Sequence, residues 1–334
     1  MMKNIWLAIC FSCACCSLAA QDVKELQQTA KTFMRAGDYA NAVLVLNRAR
    51  QAEPNNMEVA KDLSLSYYLQ KDYSRAMETI KPFLDADNAD DQTFQIAANI
   101  LRQQDEVKEA EKLYKKALKK LPKSGPLYND LGELQWNQKN YEAIKQWEDG
   151  IKEDPSYANN YYNASRYYFF SAEKVWGLLY GEIYVNMDPL SNKTPEIKQM
   201  MLDGYKKLFS DANVENASKE KNNFIKKYLQ AMNKQTSVAT TGINAGSLSM
   251  IRTRFILDWF NTTDNKKLPF RLFDYQQQLL REGLFEAYNQ WLFGSAQNLA
   301  AYQSWTGMHQ AENADFIKFQ SGRVFRIPEG EYYK

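Results

Sequence analysis

Cysteine is scarce and confined. All four, Cys10, Cys13, Cys15 and Cys16, stand near the start of the chain, and no other residue of the 334 is a cysteine. If the opening segment is removed, the remainder has no thiol for a disulfide, a zinc site or a catalytic nucleophile. Histidine is scarcer still, with one copy, so little material exists for histidine-based metal sites or acid–base catalysis. A surplus of one charge is also missing. Lysine and arginine number 42 against 40 aspartates and glutamates, a net charge of +2, which supplies no strong field for nucleic acid or anionic lipid. Hydrophobic residues at 45% and charged residues at 25% exclude a disordered tail, a collagen-like fibre and a multi-span membrane protein. The length suits two ordinary domains or one extended repeat array. Aromatics are plentiful, with 21 Tyr, 17 Phe and 7 Trp.

The first twenty residues have the pattern of an export signal. Lys3 supplies a positive start, Ile5 to Cys16 is an almost unbroken apolar run, and Ser17-Leu18-Ala19-Ala20 provides small residues before Gln21. The run is shorter than the roughly 20 residues a membrane span needs. Cleavage after Ala19 or Ala20 is expected, leaving no transmembrane segment in a periplasmic or extracellular protein. The lipid-anchored alternative is weaker. No aliphatic residue sits three positions before Cys15, and bulky Ile9 precedes Cys10 where a small residue is wanted.

Internal repetition decides the fold class. Asp38-Tyr39-Ala40-Asn41-Ala42 aligns with Asp72-Tyr73-Ser74-Arg75-Ala76 at an offset of 34 residues, and a second such shift reaches Glu106 to Ala110. A fourth copy, Asn140 to Ala143, falls one residue short. Ala30, Ser64, Ala98 and Gly132 share one small-residue position, followed by Phe33, Tyr67 and Leu101; Pro54, Pro122 and Pro155 close three of the units. This pattern resembles the tetratricopeptide repeat. The units are 23–56, 57–90, 91–124, 125–157 and a weaker 158–191, in which Gly177, Gly181 and Tyr184 depart from the family's pattern, so its second helix must pack differently. The resemblance implies an all-α, right-handed superhelix of helix pairs A and B, with the A helices lining a groove.

Residues 192–334 keep helical periodicity without the repeat and are expected to cap the array. Thr194 and Pro195 mark a helix start, and helices are expected over 195–210, 218–232, 247–261, 271–293 and 295–308. Thr236 to Gly246 reads as a small-residue loop, and Phe316 to Ile327 as a short β-hairpin turning at Ser321-Gly322. Three features invite a site and lack its chemistry. His309 has no nucleophile motif beside it, Gly242 to Gly246 is not followed by Gly-Lys-Ser/Thr, and Asp85 to Asp91 lacks the glycine and glutamate of a calcium loop. Neither metal nor cofactor is expected.

The resemblance places the second, fifth, ninth, twelfth and thirteenth residues of each unit in the groove. Carried over, they include Lys61, Tyr68, Gln95, Asn99, Arg102, Asn129, Glu133, Trp136, Tyr162, Arg166 and Phe169. Among the ten aromatics between Tyr157 and Tyr184, most read as core; Tyr162 and Phe169 read as groove. Amides, cations and aromatics together suit an extended peptide, and the Lys-plus-Asn arrangement of the chaperone carboxylate clamp is not reproduced. The sequence therefore implies a non-enzymatic scaffold outside the cytosol that holds a protein or peptide; the alternative is a glycan-binding protein with an aromatic platform. N-terminal sequencing of the mature protein should read Gln21 or Ala20, and thiol labelling should find nothing; a lipid-modified terminal cysteine would refute the soluble form.

Overall fold

Helix starts are written into the repeat as side-chain caps. Asp38, Asn56, Asp72, Asp90 and Ser124 each accept a hydrogen bond from the backbone N–H three residues on, a contact worth about 1 kcal/mol apiece. The computed structural model describes residues 23–210, 220–262 and 264–334. The expected export signal, 1–20, lies outside the described residues.

Two compact units divide between Pro122 and Lys123. The first holds α1 (23–35), α2 (Tyr39–Ala52), α3 (Met57–Leu69), α4 (Tyr73–Ile80), α5 (Asp91–Gln103) and α6 (Val107–Lys120). The second begins with α7 (Gly125–Asn137), α8 (Ala143–Glu153), α9 (Ala158–Phe170), α10 (Lys174–Met187) and α11 (Thr194–Ser210). It continues with α12 (Asn223–Asn233), α13 (Thr236–Ala239), α14 (Ala245–Asn261), α15 (Asp264–Lys267) and α16 (Arg271–Arg281). It ends with α17 (Phe285–Asn289), a π-helical turn (Gln290–Gly294), α18 (Ser295–Gln297), α19 (Leu299–Met308) and α20 (Gln310–Ser321). No strand occurs among the described residues.

The turn from helix A to helix B repeats as faithfully as the caps. Gly37, Lys71, Asp105 and Lys139 all have positive φ, between 59° and 76°. After each, the next N–H bonds back to the end of helix A: Asp38 to the Phe33 carbonyl, Asp72 to Tyr67, Glu106 to Leu101 and Asn140 to Gln135, at 2.8–3.0 Å. The fifth unit breaks this rule. Its A helix stops at Ser171 in an extended conformation, and Gly177 replaces the turn's constraint with close approach. A Cβ on Gly177 would stand 2.9 Å from the Phe169 backbone nitrogen and 3.2 Å from the Ser165 carbonyl oxygen, so α9 and α10 meet backbone to backbone.

In the first unit, Ala30, Ala42, Leu46, Ala49, Leu63, Ala76, Ala97 and Ile100 lie in one core, with small residues where helices cross and large ones between them. Ala110 is fully buried, whereas the Lys112 side chain is 72% exposed. In the second unit a single core runs from Ala143 to Ile327. The expected boundary at 191/192 therefore coincides with no break in packing. Residues 192–334 do not sit on the end of a finished array; they complete the core that α8, α9 and α10 begin. Helix α10 shows why: it is buried on every side from Val175 to Asn186, so it needs neighbours all round.

Several local expectations need correction. The 316–327 segment is no hairpin. Phe316 and Phe319 are buried at helical spacing in α20, packed near Tyr288 and Tyr275, while Phe325 and Ile327 are buried from irregular chain. The expected 271–293 helix breaks at Gly283, whose φ is +74°, and resumes at Phe285. The expected 218–232 helix is described from Asn223 onward, and part of the 236–246 loop is helical as α13.

The packing generates a paired prediction. Gly177→Ala should cost about 1–3 kcal/mol because the contact is backbone and has little room to yield. Gly307→Ala, in α19 with nothing within 4 Å of the new Cβ, should stabilise by up to about 1 kcal/mol through helix propensity. Thermal melts of the two variants should move in opposite directions; shifts of the same sign would refute this packing account.

Candidate functional site

Helix α9 packs between α7 and α11, and the face these three share collects the expected groove residues of the second unit. Its first element is an amide ladder. Asn163 Nδ2 donates to Asn129 Oδ1 at 2.8 Å and to Glu133 Oε1 at 3.2 Å, and Asn129 Nδ2 donates to the same glutamate oxygen at 3.2 Å. Both asparagines are buried, which fixes their rotamers and holds the Glu133 carboxylate in place.

The second element is built around Tyr162. Its hydroxyl donates to Glu196 Oε2 at 3.0 Å, and Arg166 Nε lies 3.1 Å from Glu196 Oε1. Arg166 and Lys193 stand over the Tyr162 ring, at 5.3 and 4.4 Å from its centroid. Burial, reinforced by the bond to Glu196, pushes the phenol pKa up to about 12, so Tyr162 stays a donor at neutral pH. The Arg166–Glu196 pair is partly exposed, worth little by itself and free to exchange partners.

The third element is aromatic. Trp136, at the end of α7 and 37% exposed, has Tyr141, Trp147 and Tyr167 around it at centroid distances of 5.7, 5.9 and 6.0 Å. Phe169 packs edge-on to Phe170 at 5.1 Å and carries Lys207 4.6 Å from its centroid. Phe170 is 77% exposed and Tyr141 63%.

The expected set is thus partly redistributed. Asn129, Glu133, Trp136, Arg166 and Phe169 reach the shared face. Tyr162, expected to be exposed, is buried and presents only its hydroxyl end through Glu196. Asn163, Lys193, Glu196 and Phe170 also stand on the shared face, the first three at no groove position of the repeat register. At Asn163 the repeat register singles out the neighbour Tyr162 instead. Lys193 and Glu196 lie past the last repeat, where Thr194 and Pro195 were the only signal of another helix.

In the first unit, Lys61 is 4% exposed and is held by Asp90 at 2.7 Å and Glu58 at 2.6 Å. Burial works against its charge, but the two carboxylates outweigh it and raise the pKa. Lys61 is a structural cation, not a free groove contact. Tyr68 is half-buried against Tyr73 at 5.7 Å. Arg102 Nη1 donates to Asn99 Oδ1 at 3.3 Å, and these two and Gln95 are half-buried.

The remaining features have structural duties. His309 stacks on Trp305 at 4.5 Å and lies 3.4 Å from Glu312. Asp90 caps α5 and pairs with Lys61, while Asp85 pairs with Lys116. The helix start after Gly242 is occupied by its own side chains: Asn244 and Ser247 form a reciprocal cap, and Gln297 Oε1 accepts from the Ala245 N–H at 2.6 Å. Among the described residues no group of three His, Cys, Asp or Glu is placed to hold a metal ion, and no helix is long and apolar enough to cross a membrane.

Two family models match the chain. One, described as "Anaphase-promoting complex, cyclosome, subunit 3", covers residues 10–117, and the other, "Tetratricopeptide repeat", covers 97–159. No curated protein matches. Among solved structures, TTC0263, a thermophilic repeat protein of Thermus thermophilus, is 12% identical over 55% of this chain and 98% of its own, with a TM-score of 0.42. A MamA crystal structure is 20% identical over 45% of this chain and 89% of its own, with a TM-score of 0.37. The MamA fragment of Desulfovibrio magneticus RS-1 is 14% identical over 51% and 97%, with a TM-score of 0.39.

Helix α11 brings Glu196 to this face, and its opposite side rests on an unusual anchor. Within the π-helical turn the Trp291 carbonyl accepts a hydrogen bond from Lys198 Nζ at 2.8 Å, and Nζ lies 3.6 Å from the indole centroid. Burial lowers the Lys198 pKa from 10.5 to about 7. In the unfolded chain the amine protonates near its ordinary value, so folding loses stability as pH falls from about 10 to about 7 and no further below that. Lys198→Met should therefore gain melting temperature relative to wild type on moving from pH 10 to pH 7. A pH-independent difference between the two proteins would refute the shift.

Proposed function

We propose that this chain, a tetratricopeptide repeat protein, is a non-enzymatic scaffold that acts outside the cytosol and holds an extended segment of a protein partner on the α7–α9–α11 face. Repeats of this family generally serve as binding scaffolds, and protein association is the activity their exposed helix faces suit. The observation that carries the assignment to this face is the Asn129–Asn163–Glu133 ladder. Its buried amides hold hydrogen-bonding groups in fixed positions beside the exposed ring of Trp136. Preorganised polar groups next to a large aromatic anchor are what interface hot spots consist of. Around them, Arg166, Lys193 and Lys207 alternate with Glu133 and Glu196, so neither charge prevails and a mixed-sequence peptide fits better than a polyanion. Location outside the cytosol rests on the Lys3 to Ala20 pattern.

Glycan binding is the second reading, supported by the exposure of Trp136, Tyr141 and Phe170, whose rings suit stacking on sugars. A glycan array separates the two.

A photo-crosslinking residue at exposed Asn137, next to Trp136, should capture the partner in cells, and one at exposed Lys145 should not. Trp136→Ala with Arg166→Ala should weaken the captured complex by about thirtyfold or more, equivalent to about 2 kcal/mol, with circular dichroism unchanged. Equal crosslinking from both positions, or unimpaired affinity of the double variant, would move the site elsewhere.

A further inference from the structure

A second groove lies in the first unit, on the helix-B side. Helix α6 runs for 14 residues, but α4 stops after 8 because Pro82 turns the chain into a tight 3₁₀ turn, Lys81–Phe83. A channel of about 690 Å³ runs between α4 and α6, walled on the α4 side by Ser74, Met77, Glu78 and Lys81. Met77, Leu84, Leu101 and Leu113 form its floor, all half-buried, three of them the outer skin of this unit's core.

The rim is sorted by charge. Glu106 and Glu109 stand at the end where α6 begins, Glu78 and Lys112 midway, and Lys81 and Lys116 toward the end where α6 closes. The two walls run in the same direction, because Lys116 pairs with Asp85 at 2.6 Å and Lys120 bonds to the Ala86 carbonyl, both in the segment that follows α4. The rim's own pairs, Lys112–Glu109 and Lys116–Asp85, join side chains more than half exposed and exchange at little cost. An apolar floor of this kind selects an amphipathic helix, which lays a stripe of i, i+3, i+4 and i+7 residues into such a channel.

We propose that this groove docks an amphipathic α-helix of a protein partner that is acidic in its first turns and basic in its last, lying antiparallel to α6. That setting puts the partner's carboxylates over Lys81, Lys112 and Lys116 and its cations over Glu106 and Glu109. It also places the positive N-terminal end of the partner's backbone beside the negative C-terminal ends of α4 and α6. The length of α6 limits the docked helix to about 14 residues, roughly 21 Å. This site is separate from the α7–α9–α11 face and stands or falls independently of it.

Two synthetic peptides of about 14 residues, sharing one leucine stripe, test the proposal by fluorescence anisotropy against the full chain. One carries glutamates first and lysines last; the other has the order reversed. The glutamate-first peptide should bind about tenfold more tightly or better. In the variant Glu106→Lys, Glu109→Lys, Lys112→Glu, Lys116→Glu the preference should invert. All four positions are exposed, so circular dichroism should stay unchanged. Equal affinity for the two orders, no binding of either peptide at millimolar concentration, or a preference untouched by the charge swap would overturn it.

Discussion

The second unit depends on one buried carboxylate. Glu182, on α10, accepts hydrogen bonds from Gln276 Nε2 and Tyr288 Oη, each at 2.7 Å, and is ion-paired with Arg252. Arg252 also donates to Asn289, and Asn186 donates to the Tyr288 hydroxyl at 2.7 Å. One side chain of the last repeat thereby fixes α14, α16 and α17. An isolated charge at this depth would cost several kcal/mol, and removing either ion alone leaves the other uncompensated. The C-terminal helices are therefore obliged to assemble around α10, on which α11 also packs, with Ile197 and Met201 against Gly181.

Helix α11 connects this interior to the α7–α9–α11 face. Glu196 reaches Tyr162 and Arg166 because α11 is clamped on its other side by Lys198 and the Trp291 carbonyl. The π-helical turn breaks the regularity of the helix but supplies the acceptor for a buried amine that has no carboxylate partner among the described residues. In the first unit the comparable role falls to Lys61, whose pairing with Asp90 bridges α3 to the start of α5 while Glu58 steadies it from its own helix. A residue the repeat pattern assigns to ligand contact is used instead to fasten neighbouring units.

Irregularity in this protein has local causes. Pro82 ends α4 early, Gly177 lets two helices touch through their backbones, and Gly283 splits one long helix in two. Each position departs from the repeat or from simple helical periodicity.

The sequence by itself determined the repeat. The Asp-Tyr anchors at 38 and 72 are helix caps and starts, the small residues at 30, 42, 76 and 110 are fully buried, and the A-to-B turns recur at the same offset. These features were legible because capping, turning and close packing act within one unit of about 34 residues. Trp136, Arg166 and Glu133 were legible as face residues for the same reason. Tertiary structure alone decided that Tyr162 is covered, that Glu196 and Lys193 join the face, and that residues 192–334 share a core with α8 to α10. Those outcomes depend on which distant helices pack together, and that choice is fixed by Glu182 meeting Arg252, Gln276 and Tyr288 across long stretches of chain, a pairing no local periodicity encodes.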